Sequence, residues 1–180
     1  MAGPNDLHPD EEDTLPDFEP MRPSEGLRAR VLASIEPASR FEGFVARMAR
    51  LFDLSEPRAR EILAVAATVP GPGWVGTPLP GLHLHHFTGG PRVASADCGL
   101  VHLAPGKAFP RHRHHGREWN LVLAGSADES SGVLWLPGDL VVYETDSVHS
   151  FRAHEREPLL LAAVLEDRLE ILRPAPADAT

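Results

Sequence analysis

Short apolar segments separated by glycine- and proline-rich turns fill the chain from residue 82 onward, and they constrain the fold more than any other feature. The turns fall at Gly89-Gly90, Pro105-Gly106, Gly125 and Pro137-Gly138. Many short, evenly spaced strands are typical of a β-sandwich or β-barrel. We therefore predict a mainly β domain over residues 82–173. Its candidate strands are Leu82–Phe87, Gly99–Leu103, Trp119–Ala124, Gly132–Leu136, Leu140–Glu144, Leu159–Leu165 and Arg168–Leu172.

Residues 24–69 have helical periodicity instead and predict three short helices. Ser24 is a plausible N-cap of the first, which Pro37 ends, and Ser55 caps the third. The apolar faces are Leu27, Val31 and Ile35, then Phe41, Phe44, Val45, Met48 and Phe52, then Ile62, Leu63 and Ala66. Helices of this size hold little core alone, so we expect them to dock on the β domain. Residues 70–81, with four prolines and four glycines, predict a linker.

Charge and composition exclude several classes of protein. The formal net charge is −9, of which residues 1–23 carry −6, so these residues are predicted to be a disordered acidic tail. Residues 174–180 are expected to be a loose tail. A diffuse nucleic-acid-binding surface does not fit this charge, and no apolar stretch approaches the length of a membrane span. With no signal-like start and one cysteine, Cys98, we expect a cytoplasmic protein.

One stretch combines residues with metal-binding chemistry. His112 and His114 are two apart, so on a strand both point to the same face. Glu118 follows a turn-like His115-Gly116 and can face them from the neighbouring strand, and His149 supplies a third imidazole. Three imidazoles and one carboxylate suit Zn, Fe, Mn, Ni or Cu. We predict one metal ion held by these four side chains.

The same stretch resembles a known family. The spacing of Gly106, His112, His114, Glu118 and Gly125 matches the first cupin motif, G-x5-H-x-H-x3-E-x6-G, at every defined position. The wider string, which continues through Asp128-Glu129 and Gly138-Asp139, is similar to the cupin-type domain of ChrR-family anti-sigma factors. The resemblance covers about residues 82–172. It implies a double-stranded β-helix, or jelly-roll, barrel with zinc on His112, His114, Glu118 and His149, with Fe, Mn or Ni as other candidates.

The chain departs from the family patterns in two places. The second cupin motif, G-x5-P-x-G-x2-H-x3-N, is kept at Gly138 and His149 but has Glu144, Asp146 and Ala153 at its other defined positions. Family anti-sigma factors also carry an N-terminal zinc motif, H-x3-C-x2-C. This sequence lacks that motif, since Cys98 is its only cysteine. Sigma-factor binding is therefore an analogy with the family.

Strand alternation predicts which surfaces need a cover. If Glu118 faces the metal, Asn120, Val122 and Ala124 share the inner face, while Trp119, Leu121 and Leu123 face outward. The segment Leu159–Leu165 is apolar on both faces. We expect the helices and a second copy of the chain both to cover these residues, which predicts a homodimer. Among the other histidines, His83 and His85 are expected on a solvent-exposed face, whereas the position of His102 on its strand allows it to face inward.

Two functions compete at this point. The first is a regulatory or sensory metal-binding cupin related to anti-sigma factors, with a protein partner bound through residues 24–69. The alternative is a small metal-dependent enzyme, such as a dioxygenase or isomerase. A small-molecule-binding barrel without turnover is a third interpretation. The metal and its coordination number would separate the first two.

Overall fold

The computed structural model describes residues 40–172 together with Ser24 and Gly26. The first predicted helix, with Leu27, Val31 and Ile35, therefore lies outside the described residues, as do the two predicted tails. Within the described residues the chain has two α-helices, which correspond to the second and third of the three helices predicted for residues 24–69. They are α1 (Val45–Phe52), preceded by a 3-10 turn at Glu42–Phe44, and α2 (Glu56–Ala66).

Local sequence explains where these helices begin and end. Asp53 has a φ of 54°, a left-handed conformation that ends α1. Ser55 caps α2, because its hydroxyl accepts a hydrogen bond from the Arg58 amide at 3.4 Å, and Pro57 fits the first turn. The predicted Ser55 cap of the third helix is confirmed.

Between the helices and residue 172, the end of the described chain, eleven strands follow. Their bounds are β1 (Val75–Gly76), β2 (Leu82–Phe87), β3 (Asp97–Leu103), β4 (Ala108–His114), β5 (Glu118–Ala124), β6 (Ala127–Glu129), β7 (Leu134–Trp135), β8 (Leu140–Tyr143), β9 (Val148–Ala153), β10 (Leu159–Leu165) and β11 (Leu169–Ile171). Another 3-10 turn spans Pro91–Val93. All seven predicted strands are present, with small differences at their ends. The predicted linker contains β1.

The strands form two antiparallel sheets, as the barrel prediction requires. The first sheet has the order β1-β2-β3-β10-β5-β8, and the second has the order β11-β4-β9-β6-β7. Side chains between the sheets form an inner core: Leu82, Leu103, Val122, Ala127, Trp135, Phe151, Ala153, Leu159 and Leu161. The mainly β, cupin-type fold class is confirmed.

The outer face of the first sheet is covered by the helices of the same chain. This outer core contains Phe41, Val45, Met48, Phe52, Ala59, Ile62, Leu63, Ala66, Cys98, Leu100, Leu121, Leu123, Ala124, Leu160, Ala162 and Val164. The rings of Phe52 and Phe87 lie 4.9 Å apart, and the Gly90 amide donates to the Phe52 carbonyl at 2.8 Å. The predicted docking of the helices is therefore present in a single chain.

The alternation on β5 and β10 follows the prediction with one exception. Strand β10 sends Leu159 and Leu161 inward and Leu160 outward, so it is apolar on both faces as expected. Ala124 was predicted to face inward but belongs to the outer core. The pairing of β5 with β10 explains this error, because the register shifts between Leu160 and Leu161 and reverses the alternation there.

Candidate metal centre

Strand β4 presents two histidines to the space between the sheets. His112 and His114 are both buried, on the face that the two-residue spacing predicts. The register between β4 and β9 shifts between Phe109 and His112, which is a bulge around Pro110. Beyond this bulge His112 pairs directly with His149, and their rings lie 4.3 Å apart. The bulge therefore sets the register that brings two imidazoles from different strands together.

The turn before β9 keeps its geometry despite the substituted motif. Asp146, at the position of a motif glycine, has a φ of 66°, a left-handed conformation that aspartate tolerates better than most residues. The Asp146 amide donates to the His114 carbonyl at 2.8 Å, and the His114 amide donates to the Ser147 carbonyl at 3.0 Å. These bonds fix the start of β9 beside β4, so His149 reaches the cluster.

Glu118 approaches the histidines from the other sheet. It opens β5, where it pairs with Tyr143 on one side and Leu165 on the other. Its Oε2 lies 3.5 Å from Nδ1 of His114. Metal bonds of 2.0–2.2 Å in a tetrahedron separate neighbouring ligand atoms by about 3.4 Å, so this pair has the spacing of two ligands on one ion.

The structure brings all four predicted ligands together. One ligand atom from each of His112, His114, Glu118 and His149 can be chosen so that all four atoms lie within 4.8 Å of one another. All four residues are buried. Among the described residues, this is the one group of three or more metal-ligating side chains at such a spacing.

Burial sets the protonation states of the cluster. It lowers the pKa of His112, and with neighbouring imidazoles it lowers the pKa of His114 to about 4 and that of His149 to about 3. Burial also raises the pKa of Glu118 to about 7, although a hydrogen bond from Asn120 opposes this. At neutral pH the imidazoles are therefore uncharged and present lone pairs to an ion. Burying the ionised carboxylate of Glu118 costs free energy, and a bound cation would offset that cost.

Groups outside the cluster face two of the rings. Nδ1 of His112 lies 2.9 Å from the Pro110 carbonyl, which can only accept, so Nδ1 carries the proton and Nε2 is free for an ion. Nδ1 of His149 lies 3.6 Å from Oε1 of the buried Glu129. The Glu129 carboxylate accepts from the Ser130 hydroxyl at 2.7 Å and from the amide and hydroxyl of Ser131. Sequence reasoning missed this role of Glu129.

The remaining ring nitrogens agree with a metal site. Both nitrogens of His114 and of His149 are buried without a hydrogen-bond partner within the described part of the chain. Such orphaned groups cost free energy unless something binds them. These nitrogens, the neutral imidazoles and the buried carboxylate fit a divalent ion, which these four side chains could hold.

An aromatic wall stands behind the histidines. The Tyr143 ring stacks on His149 at 3.7 Å and on His114 at 5.1 Å. Trp135 is fully buried and lies 6.1 Å from the His149 ring. Burial, followed by the charges of Glu129 and Glu118, raises the pKa of Tyr143, which therefore keeps its proton. This wall restricts water on one side of the cluster.

A cavity opens on the other side of the site. It has an empty volume of about 740 Å³, its mouth included, and His112, Glu118 and Asn120 contribute polar groups to its lining. Most of the lining is apolar, from side chains such as Leu84 and Leu161. A small and mainly apolar molecule can reach the cluster here.

The other histidines lie away from the cluster. Nε2 of His115 lies 3.2 Å from a Glu170 oxygen. His83 and His85 lie on the outer face of the first sheet, on the strand face opposite Leu82 and Leu84. The inward expectation for His102 is wrong. It pairs with His83 on that outer face, since its neighbours Val101 and Leu103 are the residues that pack inward.

The family follows from a direct match. The model of the ChrR Cupin-like domain matches residues 71–166, more than half of the chain. The protein belongs to this family. The predicted relation to ChrR-like cupin domains is therefore confirmed. No curated protein matches this ChrR cupin-like protein.

Solved structures agree with the fold. The complex of Rhodobacter sphaeroides SigE with the anti-sigma ChrR is 21% identical, with a TM-score of 0.51, and the alignment covers 83% of this chain and 70% of that one. A structure of DMSP lyases is 16% identical, with a TM-score of 0.50 and coverages of 66% and 71%. A Ralstonia eutropha protein with a cupin-like fold is 18% identical, with a TM-score of 0.42 and 47% of this chain covered. The chain spans about half the length of that protein, 54%. At these identities the likeness to the ChrR complex and to the DMSP lyases concerns the fold alone.

The lengths of the described helices show whether any of them could span a membrane. None of those within residues 40–172 has the length and apolar character needed to cross a bilayer.

Proposed function

We propose that this ChrR cupin-like protein is a metal-binding regulatory protein, whose ion is zinc and whose helical side meets a protein partner. The observation that carries the proposal is the layout of β5. This strand places Glu118 in the cluster on one face and buries Leu121 and Leu123 under α1 and α2 on the other. A change in the ion's occupancy therefore acts on the strand on which the helices rest.

The ligand set supports zinc. Three neutral imidazoles and one carboxylate complete a tetrahedron without an open position, which is the arrangement of structural zinc sites. Zinc on His112, His114, Glu118 and His149 would stabilise the folded barrel, because the unfolded chain has no such site. The ion supplies Lewis acidity and binding energy, and the four side chains supply its geometry.

A sigma factor is the partner class that we propose. The solved ChrR structure contains SigE, and its alignment covers 83% of this chain. This chain lacks the H-x3-C-x2-C motif, so its helical segment would bind a partner without a zinc ion of its own. A cytoplasmic location follows from this proposal and from the free, buried thiol of Cys98.

Hydrogen exchange on the full chain tests the regulatory proposal. With zinc bound, amides of α1, α2 and β5 should exchange slowly, and chelation should speed exchange in all three. Glu118→Gln should behave like the chelated protein, whereas His115→Gln, outside the cluster, should behave like the wild type. Exchange rates in α1 and α2 that are the same with and without zinc would contradict the coupling between the ion and the helices.

Light scattering tests the proposed partner. Mixing the full chain with purified sigma factors of the source organism should give a one-to-one complex with one of them. The absence of any complex would contradict the proposed partner class.

A small metal-dependent enzyme is the second candidate, and the cavity favours it. Its opening onto Glu118 and His112 would let a small molecule reach the ion. X-ray absorption on protein purified without added metal discriminates between the two functions. Four-coordinate zinc supports the regulatory function, whereas five- or six-coordinate iron or manganese with bound water supports the enzyme.

We also propose a homodimer that forms through the sheet edges. Leu121 and Leu123 are already covered by the helices, so they are not free for a second chain. Five exposed apolar side chains lie instead around the edge strands β7 and β8: Val133, Leu134, Leu136, Leu140 and Val142. Exposed apolar edge strands favour pairing with another copy. Sedimentation should show a dimer that Leu134→Lys weakens, and a monomer at high concentration would contradict it.

A further inference from the structure

A second group of histidines lies on the outer face of the first sheet, away from the metal centre. His83 and His102 are direct partners on the antiparallel strands β2 and β3. Their ring centroids are 5.7 Å apart, and the rings are tilted by 58°. The side chains on either side of this pair differ from the apolar outer core further along the same strands, where Phe87 and Cys98 pack near the helices.

Both rings carry a nitrogen without a partner. Nδ1 of His83 and Nδ1 of His102 are shielded from solvent, and neither makes a hydrogen bond to the part of the chain that the structure describes. Each imidazole is half-buried as a whole, so part of each ring is open to solvent although these two nitrogens are not. Two shielded, unpartnered nitrogens on adjacent rings cost free energy unless a bound species satisfies them.

The geometry of the pair suits a shared ion. Metal–nitrogen bonds of about 2.0–2.1 Å place the centroids of two imidazoles on one ion roughly 5–6 Å apart, depending on the angle at the metal. The observed 5.7 Å lies in this range. Burial, followed by the charge of His83, lowers the pKa of His102, which leaves that ring neutral near pH 7 and able to donate a lone pair.

Neighbouring residues from the segment before β2 pack around the pair. Gly76 pairs with His83 from β1, and a Cβ there would lie 3.9 Å from Nε2 of His83, within contact distance of the ring. The edge of the Trp74 ring lies against His102, with centroids 6.3 Å apart. Trp74 also contacts His85, whose Nδ1 bonds to the Gly73 carbonyl at 2.8 Å. The loop before β1 thus packs against His85 and His102 through Trp74 and Gly73.

We propose that His83 and His102 form a second, exchangeable site for a borderline-soft divalent cation, with Cu²⁺ bound more tightly than Ni²⁺ or Zn²⁺. The preference follows from two imidazole ligands and the usual order of divalent affinities. Water would complete the coordination, since no carboxylate within the described residues joins this pair in a metal-binding group. This site is independent of the function proposed for the central cluster.

Copper binding to the full chain tests this site. Protein first loaded with one equivalent of Zn²⁺ receives one equivalent of Cu²⁺, unbound ions are removed on a desalting column, and both metals are counted. We expect one zinc and one copper per chain, with an electron paramagnetic resonance spectrum showing two imidazole nitrogens. His83→Asn and His102→Gln should each lose the copper and keep the zinc, which also reports that each variant is folded.

His154→Gln is the matched control, because it removes an exposed histidine elsewhere on the surface and should retain the copper. Copper that replaces the zinc, so that the total stays at one ion per chain, would overturn the proposal. Copper stoichiometry that is unchanged in both His83→Asn and His102→Gln would overturn it as well.

Discussion

His112 on β4 and His149 on β9 lie directly opposite each other, with ring centroids 4.3 Å apart. At Phe109, three residues earlier on β4, the register is different, because a bulge at Pro110 and Arg111 adds one residue to that strand. The same bulge directs the Pro110 carbonyl to Nδ1 of His112. One irregularity in the sheet therefore both aligns the two imidazoles and selects the tautomer of one of them.

Glu129 orients His149 from outside the cluster, and Glu129→Gln tests this role. The amide keeps the shape of the side chain but removes the negative charge that faces Nδ1 of His149. We expect metal affinity to fall about 10–100-fold, as is usual when a group behind a ligand is lost. Competition with a chromophoric chelator measures the affinity. Asp128→Asn, an exposed neighbour, is the control, and equal affinities in the two variants would argue against the role.

Zinc binding should release a proton from Glu118 at mildly acidic pH. The pKa of Glu118 is raised to about 7 in the metal-free fold, so below pH 7 the carboxyl is protonated and an ion must displace that proton. Affinity should therefore fall about tenfold per pH unit as the pH drops below 7. Protons displaced from His114 add to this only near its pKa of about 4.

Calorimetry in buffers of different ionisation enthalpy counts this proton. Close to one proton per zinc is expected at pH 6, and close to none at pH 8. Asn120→Leu removes the hydrogen bond that lowers the pKa of Glu118, so its proton release should begin at higher pH. Proton release that does not change between pH 6 and pH 8 would be incompatible with a raised pKa for Glu118.

The left-handed turn at Asp146 predicts opposite effects for two substitutions. Asp146→Gly should leave stability unchanged or raise it, because glycine adopts a φ of 66° without strain. Asp146→Val should lower the free energy of unfolding by about 1–2 kcal/mol, because a β-branched residue is strained there. Thermal unfolding of the two variants measures the difference. Equal stability in both would show that the turn does not need this conformation.

The helices and the barrel should unfold as one unit. Phe52, the last residue of α1, is fully buried against the ring of Phe87, so Phe52→Ala should cost about 3–5 kcal/mol. Urea unfolding followed by Trp fluorescence, which reports on the barrel, measures this loss. Val75→Ala, at a side chain that is 62% exposed, is the control and should change stability by less than about 0.5 kcal/mol. A barrel transition that Phe52→Ala leaves in place would indicate separate units.

The sequence predicts the parts of this structure that follow from regular periodicity. The two-residue spacing of His112 and His114 places both on one buried face, and the two-faced β10 divides between the inner and outer cores as expected. The apolar stripe that ends at Phe52 becomes a helix packed on the first sheet. Each of these depends on alternation or helical repeat within one element.

The features that the sequence hides depend on irregular or long-range contacts. The candidate strands did not include β4, because Pro110 and alternating basic residues obscure its apolar pattern. The outward turn of Ala124 comes from a register shift against β10, which no local pattern reveals. Glu129 lies beside two serines and resembles any surface acid until β6 and β9 pair and bring it to His149.

Metal content and X-ray absorption of the full chain, purified without added metal or chelator, test the central claim most directly. We predict one divalent ion per chain, with three imidazole nitrogens and at least one carboxylate oxygen in its coordination shell. His112→Ala should lose both the ion and thermal stability. A protein that holds no ion and takes up none on dialysis, or an ion without imidazole ligands, would contradict the account.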